Sequence, residues 1–140
     1  MEYKRYGDKI VLRLDKNDEV ITCLKAVAEK ERITAASVGG IGATDNFTVG
    51  VFDLDKKDYE RFSYSGNHEI NVITGNFTVV DNKPYVHAHI TCTGKGGKVV
   101  GGHLFECFIS LTGELVISLI TGDITRTFDP TLGINVLSFR

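Results

Sequence analysis

Three of the four histidines in this 140-residue chain have the spacing of a metal site. In the run Tyr85-Val86-His87-Ala88-His89-Ile90-Thr91-Cys92, read as an extended strand, side chains alternate between faces, so His87 and His89 point the same way. Gly94-Lys95-Gly96-Gly97 has the chemistry to turn the chain back. A returning strand through Val100-Gly101-Gly102-His103-Leu104 would then set His103 beside the pair. Three imidazoles on one ion match zinc sites that keep a fourth position for water or a ligand. Imidazole also suits nickel, copper and iron. The expectation is one divalent transition-metal ion, zinc first, held by His87, His89 and His103. The competing use is three hydrogen-bonding histidines on a half-buried sheet face.

Glu69 and Glu106 are carboxylates within apolar strand runs. With Arg126 they are candidates to support a histidine ring from behind. Either glutamate could instead pair with Arg126, or act as a general base. His68 follows a turn and reads as a surface residue. No Ser-His-Asp set, Cys-His pattern or HExxH helix is visible, so the sequence nominates no catalytic residue. A non-enzymatic protein is therefore the first reading, and a small metal-dependent enzyme with a three-His zinc site is the alternative.

The elements that must position these residues are mostly strands. Lys9 to Leu14 alternates, with Ile10, Leu12 and Leu14 facing inward. Asn17 or Asp18 is placed to cap a helix from Glu19 to Glu31, whose apolar residues Val20, Ile21, Leu24, Val27 and Ala28 form one stripe. Gly39-Gly40-Ile41-Gly42 lacks the endings of nucleotide-binding loops, and predicts close backbone packing or a bulge. Strands are expected over 46–52, 59–64, 68–80, 85–93, 99–111, 114–121 and 134–139. Turns are expected at Ser65-Gly66-Asn67, Asp81-Asn82-Lys83-Pro84 and Thr112-Gly113, with 123–129 a polar connection. About eight strands and one helix, in runs of strand, predict a single α+β domain over residues 1–140 with a largely antiparallel, curved sheet. Leu115, Ile117 and Leu119 share one strand face while Val116 and Ile120 lie on the other. Such a sheet either closes on itself or is covered by another subunit, and oligomerisation is the favoured expectation.

Bulk properties narrow the partners. A net charge of −2, from 16 basic and 18 acidic residues, is a poor footprint for nucleic acid. The three cysteines form no Cys-x-x-Cys pair and read as reduced, buried thiols. The N-terminal residues have no apolar signal region, and nothing approaches a membrane span. The chain reads as cytoplasmic, with no membrane partner.

Several segments, in order, resemble one family: Gly39-Gly40-Ile41-Gly42-Ala43, Asn67-His68-Glu69-Ile70 with Thr74-Gly75-Asn76, His87-Ala88-His89-Ile90, Val100-Gly101-Gly102-His103-Leu104, Glu114-Leu115-Val116-Ile117 and Thr125-Arg126-Thr127-Phe128-Asp129. Together they are similar to the PPC domain, conserved in plants and prokaryotes, which accompanies AT-hooks in plant nuclear proteins. The resemblance implies an α+β domain assembling as a homotrimer. Stand-alone prokaryotic members are described as DNA-binding by association with the plant forms, which implies DNA or a regulatory protein as partner and a transcription-regulatory role. It also implies metal binding at the His-x-His and Gly-Gly-His positions, kept here as His87, His89 and His103. The plant DNA contact resembles a job for the Arg-Gly-Arg-Pro core of the AT-hook, and this chain has no such core. Its two prolines lie in Lys83-Pro84-Tyr85 and Asp129-Pro130-Thr131.

Overall fold

Alternation in the second strand sets the core. The computed structural model describes every residue except Asp123 and Arg140. Strand β1 (Glu2–Tyr6) pairs antiparallel with β2 (Lys9–Asp15), which buries Ile10, Leu12 and Leu14 and exposes the residues between them. Helix α1 (Val20–Lys30) follows, with Val20, Cys23, Leu24, Val27 and Ala28 buried. Cys23 takes part of the stripe expected of Ile21, which is only half-buried. The cap is neither Asn17 nor Asp18 but Glu19, whose carboxylate accepts from the N–H groups of Ile21 and Thr22 at 3.0 and 2.7 Å. The same carboxylate accepts from the Cys107 N–H at 3.1 Å and so fastens the helix start to the sheet. A glutamate is long enough to cap and reach at once; Asn17, in the left-handed region at φ 73°, is spent on the preceding turn.

Three long strands carry the rest: β3 (Ala36–Asp53), β4 (Asp58–Val80) and β6 (Val99–Leu119), with β5 (Lys83–Thr93) between β4 and β6. Two expected turns are absent because their residues serve continuous, bent strands. Gly66, at φ +85°, sits where β4 carries an extra residue against β3, between Thr44↔His68 and Asn46↔Ser65. It makes a bulge, not a reversal. Gly113 remains paired with both Leu14 and Gly42, in a space where an added Cβ would lie 3.0 Å from the Ile109 side chain. The hairpin at 81–82 is as expected, a two-residue loop with Asp81 and Asn82 both at positive φ. The bulge expected in the glycine cluster falls between Gly40 and Gly42. The segment read as a polar connection is strand β7 (Ile124–Asp129), from its first described residue onward, and it forms a hairpin with β8 (Ile134–Phe139).

The eight strands form one sheet, and among the described residues every pairing but one is antiparallel. β3 pairs with β4, β4 with β5, β5 with β6, and β6 again with β3, so the path returns on itself. Closure removes the two edges an open sheet of these strands would have and encloses Phe47, Ile73, Phe77, Ile90, Cys107 and Ile109. All three cysteines are free and buried. Val116 and Ile120 remain 43% exposed, so closure covers one face of β6 and leaves the other open. Among the described residues no helix is long and apolar enough to cross a membrane.

Candidate metal centre

β5 places the histidines because its other face is committed to the core. Ala88, Ile90 and Cys92 are at most 1% exposed, which turns His87 and His89 to the opposite side. Across one neighbour, His89 stands directly opposite His103 of β6; across the other, His87 and His89 face Asn76 and Thr74 of β4. The approach is tight. A Cβ on Gly75 would collide with the His87 carbonyl oxygen and lie 2.7 Å from the Ala88 Cα, so only glycine lets β4 run this close beneath the pair. Gly102 does the same toward β3, where a Cβ would meet the Gly50 carbonyl at 2.7 Å.

The three rings converge as expected. Their centroids are 5.2 to 5.5 Å apart, and one nitrogen from each lies within 4.8 Å of the others. Two nitrogens on one tetrahedral zinc would be about 3.3 Å apart at the usual bond length, so the rings must draw together by up to about 1.5 Å to hold one ion. His103 stacks on Tyr59 at 4.7 Å and meets the edge of Phe105 at 5.0 Å. Its Nδ1 is buried without a hydrogen-bond partner. Such an atom costs about 1–3 kcal/mol if left unmet. Burial, then the neighbouring His87 and His89, then Arg61, push the His103 pKa down to about 4. Burial, reinforced by Arg126 and His89, also lowers that of His87. A neutral imidazole with an unmet nitrogen, as at His103, is what a metal requires of a ligand.

Arg126 is the supporting residue that the structure does bring in. From β7 its Nε donates to Thr78 Oγ1 at 3.0 Å, Nη1 to the Asn135 carbonyl at 3.0 Å and Nη2 to Asn76 Oδ1 at 2.8 Å. Nη2 also stands 3.4 Å from His87 Nδ1, and the guanidinium lies over the Tyr85 ring. Among the described residues it pairs with no carboxylate. The cluster opens into a cavity of about 300 Å³ walled by Tyr59, Tyr85, Phe105, Phe128 and Ile134.

Neither glutamate reaches the cluster. Glu69 pairs with Thr93, five positions along β4 from Thr74 and roughly 17 Å from it at the strand rise. Glu106 is exposed and accepts from Thr48 Oγ1 at 3.1 Å. A bulge between the partners of Thr48 and Val49 inserts Phe105, so Leu104 and Cys107 both face the core, and Glu106 spends its carboxylate beside β3 on Thr48. His68 is half-buried rather than on the surface, edge-on to Phe47 at 5.1 Å with Nδ1 2.7 Å from the Gly66 carbonyl oxygen. Sequence reasoning missed Tyr59, Phe105, Asn76, Thr78 and Asn135. Asn76 and Thr78 had a signal in their alternation with buried Phe77; the two aromatics had none.

The family model of the Plants and Prokaryotes Conserved (PCC) domain matches residues 1–121. The chain belongs to this family. In this PCC domain the β7–β8 hairpin, which carries Arg126, lies beyond the matched residues. Solved structures similar to the PCC chain extend over the hairpin as well. One is a "putative DNA binding protein" from Bacteroides thetaiotaomicron, 30% identical with a TM-score of 0.95, covering 99% of this chain and 96% of that one. A metal-containing protein from Archaeoglobus fulgidus is 31% identical with a TM-score of 0.85, covering 96% and 95%. A plant- and prokaryote-conserved protein from Pyrococcus horikoshii is 28% identical with a TM-score of 0.86, covering 98% and 93%. Comparison with curated protein sequences gives no match.

Proposed function

We propose that this PCC domain holds one divalent transition-metal ion, zinc first, on His87, His89 and His103, and acts as a self-associated protein with a DNA-associated, regulatory role. The observation that carries the metal reading is the convergence of three imidazoles, one of which, His103, has a buried Nδ1 without a partner among the described residues. The metal-containing relative from Archaeoglobus fulgidus supports it. A zinc ion there would supply a Lewis-acid position for a fourth ligand. Self-association is supported by Val11 and Val116, direct partners across β2 and β6 that are 49% and 43% exposed, and the homotrimer is what the family resemblance implies. The DNA-associated role draws on the description of the Bacteroides relative. With a net charge of −2, contact through a partner protein fits better than direct binding. The second reading, a small metal-dependent enzyme, draws on the aromatic cavity beside the cluster.

The test is metal content by mass spectrometry on untagged protein, wild type beside His87→Ala. About one ion per chain, lost in the variant, is expected. A metal-free wild type that stays folded and takes up no added zinc refutes the site. Duplex binding measured across a salt series decides the DNA contact; no binding at low salt leaves only the indirect role.

A further inference from the structure

Around the histidine cluster the charges do not balance. The proposed ion would bring two positive charges and Arg126 a third, while imidazole ligands add no charge to offset them and no carboxylate pairs with the guanidinium among the described residues. A half-buried cation without a counter-ion is costly, and its contacts to Thr78, Asn76, Asn135 and His87 are all to neutral groups. Those contacts hold the guanidinium plane fixed before any ligand arrives, which removes part of the ordering cost of binding. With His87 bound to the ion, its Nδ1 has no lone pair free to accept, so the contacts to Thr78, Asn135 and Asn76 use three of the five N–H groups and leave one on Nη1 and one on Nη2. These two donors and one metal position suit the two oxygens of a carboxylate. A phosphate would need more donors than the site offers. At about 300 Å³ the cavity is at the small end of ligand sites, and its walls are aromatic and aliphatic.

We propose that this cavity binds a small monocarboxylate with a short branched apolar tail, its carboxylate shared between the metal position and Arg126 and its tail against Phe105, Phe128 and Ile134. The inference rests on the metal reading above. It assigns Arg126 and Phe128 as binding residues for an organic anion, whether that anion is an effector or a substrate.

The experiment uses full-length protein loaded with Co²⁺, whose visible spectrum responds to the fourth ligand. Cobalt uptake is measured first. The loaded protein is then titrated with 3-methylbutanoate, acetate and inorganic phosphate. The branched acid is expected to saturate at least about 10-fold lower in concentration than acetate, from the extra buried carbons, with phosphate weaker than both. Phe128→Ala should bring 3-methylbutanoate down to the level of acetate with cobalt uptake unchanged. Arg126→Gln should weaken both acids about 10-fold or more. Equal response to the two acids in the wild type, tighter phosphate binding, or indifference to both substitutions overturns the inference and leaves the metal site standing. Failure to take up cobalt at all overturns both.

Discussion

Replacing Arg126 by Met keeps a long apolar stem while removing the guanidinium, and the structure says where the loss falls. Among the described residues β7 meets the closed part of the sheet through a single parallel pair, Val79↔Thr125. The β7–β8 hairpin is therefore held to β4 chiefly by the Arg126 bonds to Thr78 and Asn76, with the bond to Asn135 bracing the hairpin itself. A hydrogen bond from a charged donor contributes up to about 1.5–3 kcal/mol when buried. These partners are in part solvated, so about 1 kcal/mol each is the better figure, or about 3 kcal/mol together. At about 1.4 kcal/mol per factor of ten, opening of the hairpin should become roughly 100-fold more frequent. Native-state hydrogen exchange reads this directly. Amides of Ile124–Asp129 and Ile134–Phe139 should lose about two orders of magnitude of protection, whereas those of Ala36 to Val38, enclosed between β4 and β6, should change by less than about twofold. Unchanged protection in the hairpin would refute the attachment. An equal loss at every amide would also refute it, because Arg126 would then be holding the whole barrel.

Two further outcomes follow from the same geometry. Gly75→Ala forces a Cβ onto the His87 carbonyl, so β5 must move away from β4; a loss of about 1–3 kcal/mol, seen as a lower Tm, should accompany a weaker grip on cobalt, and a variant that matches wild type in both measurements contradicts the tight approach. His103 has a folded pKa near 4, below the ordinary 6.5, so its neutral form is favoured by folding. Its contribution is fully present above about pH 6.5 and is lost as pH falls toward 4. With a half-buried ring, metal-free protein should lose about 1 kcal/mol from this residue between pH 7 and pH 5. His103→Gln should flatten that part of the urea-denaturation profile, and a slope unaltered by the substitution argues against it.

Much of the site was legible in the sequence because it depends on the shortest period in protein structure. A His-x-His on a strand has only one way to point, and a glycine-rich return of the next strand leaves His103 little choice of neighbour. Strand limits were less legible, for one physical reason. Ser65-Gly66-Asn67 and Thr112-Gly113 have turn chemistry, but a strand that bends through a closed sheet needs the same residues for bulges and close approaches. Glu106 was not placed by local pattern either, since its partner, Thr48, lies 58 residues away on β3. Arg126 was named among the candidates, yet its role was not readable. Its partners lie 39 to 50 residues away on other strands, or across its own hairpin. Nothing local marks such a contact.

The ring of strands also has an order of assembly written into its sequence separations. β4, β5 and β6 follow one another along the chain, joined by a two-residue loop and a short glycine-rich link, so His89 needs to find a partner only fourteen residues away at His103. The seam between β3 and β6 joins Ala36 to Leu119, a separation of 83 residues, and carries most of the entropy of closing the ring. The three candidate ligands thus belong wholly to the part that can form first. An ion captured by that meander would stabilise a nucleus needing nothing from β3, and the supply of metal during synthesis would then govern how fast the chain folds as well as what it binds afterwards.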